Sequence, residues 1–525
     1  MKNIYFSIIF ISTILAACAD LLNEDTSSFL SSEVIYATNS GTEAALAGAY
    51  SGIAGYQYFP SGYLNLVSAA SGAIFTNHAA SKDLLTVTAL STNKYLNDTY
   101  EDIYTAINRA NDVIYNVQNG GADDEVKNRV EGEARLLRSL SYFNLVRLIG
   151  GVPLRLVPTT STTLHLPRAS KDEVYEQIIH DLELASELLP EINPVKGRPG
   201  RYAAHALLAK VYLTKADGIE GSPYWSLALA HAKEVYGKYS LVPLNELYDV
   251  RNRNTDESII EVQLSVAAGR GSYWTRMIAP SNSNHTPKAT ANPYGRIRPT
   301  KYVFDVFQNR YPGDPRIEAT FIYSSYLQRD NNTVVITYPN IDAKASAREQ
   351  ARQSFPYLRK FIDPDYTASG SDANFIYLRY ADVLLMMAEA ENEINGPDAA
   401  YQYVNEVLRR ARESTNPPSD EPADWSGMTQ EQFRSNIMQE RMFELYGEQH
   451  EFFDLRRRGI RYLKNYFVAH NSHPKNNFST ADVNFNDVLY PETDDFARRA
   501  LLLPFPSGEI NSNLEISIED QNYGY

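Results

Sequence analysis

The stretch DDEVKNRVEGEARLLRSLSYFNLVRLIGGVPL, residues 123–154, decides the fold class. Its two leading aspartates suit a helix start, because acidic side chains are favourable near a helix N-terminus. Leu136, Leu140 and Phe143 recur every three to four residues, which places them on one helical face. Gly150 begins a Gly-Gly pair that ends the pattern, and a proline follows. The stretch therefore predicts one long helix with an apolar face that packs on a neighbour.

Helical periodicity continues on both sides of this stretch. Ser170 and Glu173 have the spacing of a capping box, which predicts a helix start there. The further helical segments of the first half are residues 97–121, 167–190, 200–218 and 223–243. Short turns between them predict antiparallel helix pairs, which resemble tetratricopeptide units. A generic helical bundle is the alternative, because the tetratricopeptide consensus does not repeat cleanly.

The middle of the chain has a different character, between about residues 241 and 374. DESIIEVQLSV, residues 256–266, predicts a strand, and the rest is rich in Pro, Asn and Ser. Helical patterns return over residues 375–413 and 428–459, and an extended tail is expected after residue 498. Loops on a rigid scaffold commonly carry binding, so the loop-rich insert is the expected ligand-binding part.

The N-terminus contains the only cysteine, Cys18, at the end of LAAC. An apolar run with one preceding lysine, Lys2, is shorter than the about 20 residues of a membrane-spanning helix. It is typical of a secretory signal, and the cysteine predicts a lipoprotein signal at residues 1–17 with Cys18 lipidated. A polar tether over residues 18–40 would lead to the body at 41–525. The alternative is a buried N-terminal helix in which Cys18 packs as a small core residue.

Composition narrows the function classes. A net charge of −15 argues against nucleic acid as a partner, because phosphates need cations to neutralise them. One cysteine and nine histidines without HExxH spacing predict no metal and no cofactor. The 37 tyrosines and 21 phenylalanines permit a binding protein, since aromatic rings serve both cores and wet interfaces.

Four glutamates in QERMFELYGEQHEFF have the near-helical spacing that is also compatible with a catalytic carboxylate pair: Glu440, Glu444, Glu448 and Glu451. The favoured interpretation is structural, with Arg441 and the arginines at 456–458 as the expected ion-pair partners. No GxSxG elbow and no phosphate-binding glycine loop is present. The sequence therefore predicts a protein that is not an enzyme.

Five stretches together resemble the SusD/RagB family of outer-membrane nutrient-binding lipoproteins. They are EARLLRSLSYFNLVRLIGGVPL (133–154), PRASKDEVYEQIIHDLE (167–183), ALLAKVYL (206–213), YLRYADVLLMMAEAENEING with VNEVLRRAR (377–412), and ERMFELYGEQHEFFDLRRRG (440–459). The closing segment from LPFPSGEINSNLEI to QNYGY is similar to the family's tail. Together with Cys18, the resemblance extends over nearly the whole chain.

The resemblance implies a mostly α SusD-like fold: four tetratricopeptide-like helix pairs, at about 97–240 and 375–460, with a loop-rich ligand-binding half packed on them. It also implies an outward-facing protein, lipid-anchored in the outer membrane, that binds oligosaccharide and delivers it to a SusC-like TonB-dependent transporter. A peptide-binding, RagB-like member with the same partner is the alternative. Nucleic acid is not an expected partner.

The family's ligand residues lie in variable loops, so candidates come from this sequence itself. Sugar faces stack on flat rings, while Asn, Gln and Arg reach hydroxyls. The loops at 55–65, 72–83 and 269–277 are rich in such residues and favour glycan over peptide. The predicted contacts are Trp274, Tyr273, Arg276, Tyr58, Phe75 and Asn77. For Trp274 the alternative is a buried ring that anchors its loop.

Overall fold

The structure is a computed structural model that describes residues 31–216, 218–368, 370–475 and 485–525. The predicted signal peptide at 1–17, the lipidation site Cys18 and the first part of the tether lie outside the described residues. Half of the structure, 51%, is helical, in 21 helices. The mostly α fold class is therefore confirmed.

The helices are numbered in chain order. The first nine are α1 (Ser32–Ile35), α2 (Asn39–Ile53), α3 (Gly62–Ala70), α4 (Lys82–Leu85), α5 (Lys94–Val117), α6 (Asp124–Ile149), α7 (Lys171–Leu188), α8 (Arg201–Ala216) and α9 (Tyr224–Val235). The next five are short: α10 (Leu244–Leu247), α11 (Trp274–Ile278), α12 (Lys301–Arg310), α13 (Pro315–Thr320) and α14 (Ala347–Gln353). The last seven are α15 (Tyr380–Asn395), α16 (Pro397–Glu413), α17 (Gln430–Leu445), α18 (Glu451–Arg457), α19 (Gly459–Ser472), α20 (Asp494–Arg499) and α21 (Ser507–Ser512).

Eight short strands form four antiparallel two-stranded sheets. The strands are β1 (Ile74–Thr76), β2 (Ser258–Val262), β3 (Ile297–Pro299), β4 (Phe321–Ile322), β5 (Ser325–Leu327), β6 (Val334–Ile336), β7 (Tyr357–Leu358) and β8 (Phe375–Arg379). The pairs are β1 with β3, β2 with β8, β4 with β7, and β5 with β6. The predicted strand in DESIIEVQLSV is β2, and its partner β8 leads directly into α15.

The long helices form a continuous layer. Helices α5 to α9 pack in chain order, each on the one before it. Helix α9 then packs on α15, and α15 packs on α16 and α17. Helix α6 is embedded in this layer, because nearly every residue from Arg129 to Ile149 is buried. A side chain at Gly132 would place its Cβ 2.9 Å from Leu189 Cγ, so glycine permits the close approach of the chain after α7. Residues 123–154 thus supply much of the scaffold's core.

Local sequence signals explain several helix boundaries. The predicted capping box of α7 is present, with the Ser170 side chain accepting from the Glu173 backbone and the Glu173 carboxylate accepting from Ser170. Gly150, at φ 86°, ends α6 in a conformation that glycine adopts at little cost. The tail is less extended than expected, because α21 and a 3-10 turn at Ile518–Asp520 interrupt it.

The stretch between α9 and β8 contains only short elements, α10–α14 and β2–β7, joined by loops. These loops pack on the helical layer through β2 and β8, and on the N-terminal segment through β1 and β3. The loop at 55–65, strand β1 and helix α11 therefore meet on one side of the protein. Among the described helices, none combines the length and the apolar content that crossing a bilayer requires.

Candidate functional site

The candidate site is a group of exposed and half-buried rings and guanidinium groups, called here the aromatic surface. It consists of Tyr56, Tyr273, Arg276, Tyr294 and Arg296. Three segments supply these residues: the turn after α2, helix α11 with its N-cap residue, and the loop that leads into β3.

Backbone hydrogen bonds hold the three segments together. The Tyr273 N–H donates to the carbonyl of Pro60, at 2.9 Å. The Tyr294 and Arg296 N–H groups donate to the carbonyls of Arg276 and Met277, each at 2.7 Å. Side chains on all three segments therefore have fixed relative positions before any ligand arrives, which lowers the ordering cost of binding.

Tyr294 is the centre of the surface. Its side chain is 38% exposed, and two guanidinium groups lie over its ring, with the Cζ atoms of Arg276 and Arg296 at 4.6 and 4.1 Å from the centroid. Arg276 Nη2 also donates to the Tyr294 hydroxyl at 2.5 Å. Arg276 Nε is buried without a hydrogen-bond partner in the described structure. The ring is thus fixed in place by cation–π contacts while part of it stays open to solvent.

Tyr56 and Tyr273 form a second aromatic contact beside it. Their rings meet edge to face, with centroids 4.9 Å apart and planes at 87°. Tyr56 is 46% exposed, and both tyrosines line a small cavity of about 120 Å³, together with Arg270. An edge-to-face pair leaves the exposed ring with a free face, which can stack on a flat ligand.

Three of the predicted ligand contacts are buried in the core, so the candidate surface is built from other residues. Tyr58 is 0% exposed, its ring stacks on Phe59, and its hydroxyl accepts from Asn144 at 2.8 Å. Phe75 is 2% exposed and stacks on Phe355, with centroids 3.9 Å apart. Trp274 is 7% exposed, which agrees with the alternative interpretation of a ring that anchors its loop.

The other three predicted contacts are half-buried. Tyr273 and Arg276 belong to the aromatic surface, and the Asn77 backbone N–H donates to the Arg296 carbonyl at 3.3 Å, at its edge. Tyr56 lies in one of the three loops named from the sequence, whereas Tyr294 and Arg296 lie outside them, and none of these three residues was among the predicted contacts. Tyr294 had one available signal, because it stands between Pro293 and Gly295, where a turn exposes its side chain.

Tyr56 and Tyr58 show how one turn separates a surface ring from a core ring. Asp102 accepts from the Gln57 N–H at 2.8 Å, and the Tyr58 N–H donates to the Gly55 carbonyl at 2.9 Å. A Cβ at Gly55 would lie 2.7 Å from the Asp102 carboxylate, so the turn depends on glycine. Of the two tyrosines, only the first points outward from this turn.

The four spaced glutamates are not a catalytic pair open to solvent. All four are buried, and three of them lie in a network of buried ion pairs. Arg379 binds Glu444 at 2.8 Å and Glu448 at 2.7 Å. Burial opposes ionisation of Glu444, but the guanidinium groups of Arg410 and Arg379 hold its pKa well below the usual range. The structural interpretation of these carboxylates therefore agrees with the geometry.

The partners of these glutamates differ from the expected ones. Arg441 pairs with Asp382 and Asp454, and Arg457 pairs with Glu389 and Asp454. The cations on the glutamates come from segments distant in the chain, namely Arg316, Lys360, Arg379 and Arg410. Proximity in the sequence did not predict these ion pairs, because the packing of separate elements brings distant residues together in the core.

Glu451 has no cation within salt-bridge distance among the described residues and accepts a hydrogen bond from the Gly447 N–H. Burial raises its pKa to about 7. The described part of the chain also contains no group of three His, Cys, Asp or Glu side chains placed to hold a metal ion.

Comparisons with known proteins agree with this architecture. Residues 256–525 match the sequence model described as "SusD family", and residues 33–213 match the one described as "Starch-binding associating with outer membrane". A curated relative, SusD-like protein P25 of Formosa agariphila, is 26% identical over 85% of this chain and 87% of its own length.

Two solved structures share the fold. A SusD homolog from Bacteroides thetaiotaomicron has a TM-score of 0.74 and 21% identity, over 94% of this chain and 98% of its own. A laminarin-binding SusD-like protein has a TM-score of 0.67 and 24% identity, over 92% of this chain and 99% of its own. Because the SusD-family model matches more than half of its residues, the chain belongs to the SusD family.

Proposed function

We propose that this protein binds an oligosaccharide at the aromatic surface. The observation that carries the proposal is Tyr294, which is 38% exposed while Arg276 and Arg296 lie over its ring. A flat sugar face stacks on a fixed aromatic ring at little entropic cost, and guanidinium N–H groups donate to hydroxyls.

The comparisons support a carbohydrate ligand. One matching family description names starch binding, and one protein of the same fold binds laminarin. Aromatic surfaces built from Tyr56, Tyr273 and Tyr294 suit extended glycans, because successive pyranose rings can meet successive tyrosines.

The proposed role is capture and transfer without cleavage. The protein would be anchored through a lipid on Cys18, face outward from the outer membrane, and pass its ligand to a SusC-like TonB-dependent transporter. Support comes from the N-terminal sequence pattern and from the family description that names association with the outer membrane. Several acyl chains on one residue anchor a protein durably, unlike a single chain.

A peptide ligand with the same transporter partner is the second candidate. Peptide recognition uses exposed strand edges and matched charge, and Arg270, Arg276 and Arg296 could meet acidic side chains. The aromatic surface favours glycan because its exposed centre is a ring, and the two guanidinium groups over that ring can donate to sugar hydroxyls.

The test uses the Tyr56→Ala/Tyr294→Ala double variant and calorimetry with a panel of glucan, mannan and galactan oligosaccharides and a casein peptide digest. Loss of a central aromatic anchor commonly costs more than about 2 kcal/mol, which is more than tenfold in affinity. The matched control is Tyr115→Ala, a 61% exposed tyrosine on α5 away from the site. Glycan binding that is lost only in the double variant is expected, and unaltered binding in that variant refutes the proposed site.

The transporter partnership has a separate test. Gentle solubilisation of the outer membrane with a tagged copy of this protein should copurify a large β-barrel transporter. A protein recovered alone in several mild detergents would refute the partnership without affecting the glycan site.

A further inference from the structure

A larger cavity lies elsewhere in the protein and shares no residue with the aromatic surface. It has a volume of about 540 Å³ and is called here the basic cavity. Five places in the fold form its walls: the end of α6, the start of α7, the end of α8, the α18–α19 junction, and α20 with the C-terminal tail. A volume of this size suits a small-molecule ligand.

The charge of its walls is opposite to that of the protein. Seven lining side chains are arginine or lysine and, among the described residues that line it, none is acidic. The whole chain carries 64 acidic residues against 49 basic ones. A concave wall of one charge focuses its field into the cavity and attracts ions of the opposite sign.

Carboxylates elsewhere neutralise only two of these cations. Arg457 pairs with Glu389 and Asp454, and Arg458 pairs with Glu389. In the described structure no carboxylate lies within salt-bridge distance of the other five, which are Arg147, Lys171, Arg456, Arg498 and Arg499.

Two of the unpaired cations are deep in the protein. The Arg147 guanidinium lies between the rings of Phe143 and Phe453, with its Cζ at 3.8 and 3.7 Å from the centroids. Arg456 donates to the carbonyls of Ala70, Ser71, Phe452 and Ala500. Burial lowers the pKa of Arg456 to about 9, so it remains protonated at neutral pH. These two arginines give the cavity a fixed positive charge.

The other cations lie closer to the solvent. Arg498 is exposed and its Cζ lies 5.3 Å from the Tyr523 ring, while Arg499 lies 4.4 Å from the Tyr525 ring. Arg499 Nε is buried without a hydrogen-bond partner in the described structure. Guanidinium groups present parallel N–H donors that match tetrahedral oxyanions, and such charge-assisted bonds are strong.

We propose that the basic cavity is a second ligand site, which binds small molecules through a phosphate or sulfate ester. Arg498 and Arg499 contact the ester oxygens, and the buried cations supply the attraction. Apolar walls from Ile219, Leu501 and Leu502 meet the body of the ligand. A sugar that carries such an ester fits this combination of a charged end and a largely apolar wall.

Calorimetry on the full-length chain tests the site with glucose 6-phosphate, glucose 6-sulfate and glucose. Wild-type protein should bind at least one ester. Glucose, which carries no ester, should not bind in the basic cavity. The phosphate and sulfate arms distinguish the two sources of the oxyanion. If affinity depends on charge alone, the doubly charged phosphate ester should bind more tightly than the sulfate ester.

The Arg498→Gln/Arg499→Gln variant should lose at least tenfold in affinity, about 1.4 kcal/mol, since hydrogen bonds to charged groups are each worth that much or more. The control is Arg409→Gln/Arg461→Gln, which removes two exposed arginines outside the cavity and changes net charge equally. Tyr294→Ala should bind the ester normally. Failure of both esters to bind, equal binding of glucose, an equal loss in the control, or no loss in the cavity variant would each overturn the proposal.

Discussion

Replacing Arg379 with glutamine tests whether the buried ion-pair network holds the two halves of the fold together. Arg379 is 1% exposed and stands at the junction of β8 and α15. It makes five hydrogen bonds, two to Glu448, one to Glu257, and two to the carboxylate and carbonyl of Glu444. Glu257 immediately precedes β2, Glu444 lies in α17, and Glu448 lies between α17 and α18. One guanidinium therefore joins elements that are distant in the chain.

The expected loss of stability follows from what the variant leaves behind. Removing one partner of a buried ion pair typically costs about 3–5 kcal/mol, because the remaining charge stays buried. In the variant, Arg410 still pairs with Glu257 and Glu444, and Lys360 still pairs with Glu448. The loss of stability is therefore smaller than the sum of five separate hydrogen bonds. The unfolding entropy is near 2.1 cal/mol/K per residue, or about 1 kcal/mol/K for about 500 residues. The loss of stability therefore corresponds to a decrease of roughly 3–5 °C in Tm.

Differential scanning calorimetry at neutral pH, with fixed scan rate, measures this shift against a surface control. Arg251→Gln removes an ion pair with Asp249 at 2.6 Å in which the arginine side chain is 63% exposed. Such a pair contributes about 0–1 kcal/mol, which predicts a shift below about 1 °C. If the Arg379→Gln and Arg251→Gln variants have the same Tm, the network does not stabilise the fold and the reasoning is refuted.

Three further predictions concern other parts of the chain. Trp274→Ala should lower Tm by about 3–5 °C in calorimetry, because truncating a buried aromatic costs about 3–5 kcal/mol; an unchanged Tm would return Trp274 to the ligand contacts. Glu451→Gln should gain stability relative to wild type as pH rises from about 4.5 to 7, because in this range Glu451 is ionised in the unfolded chain but keeps its proton in the folded protein, where its pKa is about 7. A stability difference that stays constant between pH 4 and 8 in urea melts would contradict this. Cys18→Ser should abolish palmitate labelling and leave the precursor unprocessed, and an unlabelled wild-type protein would remove the lipoprotein hypothesis.

Most of the scaffold could be predicted because its signals are local. Period-three-to-four apolar residues in 133–154, the capping box at Ser170, and Gly396 with Pro397 between α15 and α16 each act within a few residues. Packing of α9 on α15 could not be read in this way, since more than one hundred residues of loops and strands separate the two helices. Nothing local fixes which distant helix completes a layer.

The site was harder to predict than the scaffold. Tyr56 and Tyr58 are two residues apart in the same aromatic loop, yet one is 46% exposed and the other fully buried. Their difference depends on the turn at Gly55 and on Asp102, a residue of another helix. Trp274 was predicted as a ligand contact because of its glycine-containing loop at 269–277, but it lies in the first turn of α11 with its ring buried in the core.

The bonds of Arg456 have a consequence for biosynthesis. Its guanidinium donates to the carbonyl of Ala70, 386 residues earlier, and its Nε donates to Ala500 near the C-terminus. An emerging polypeptide cannot close these contacts until nearly the whole chain has left the ribosome. The contact between α3, α18 and the C-terminal segment therefore closes late, after the helices of the first half have been synthesised.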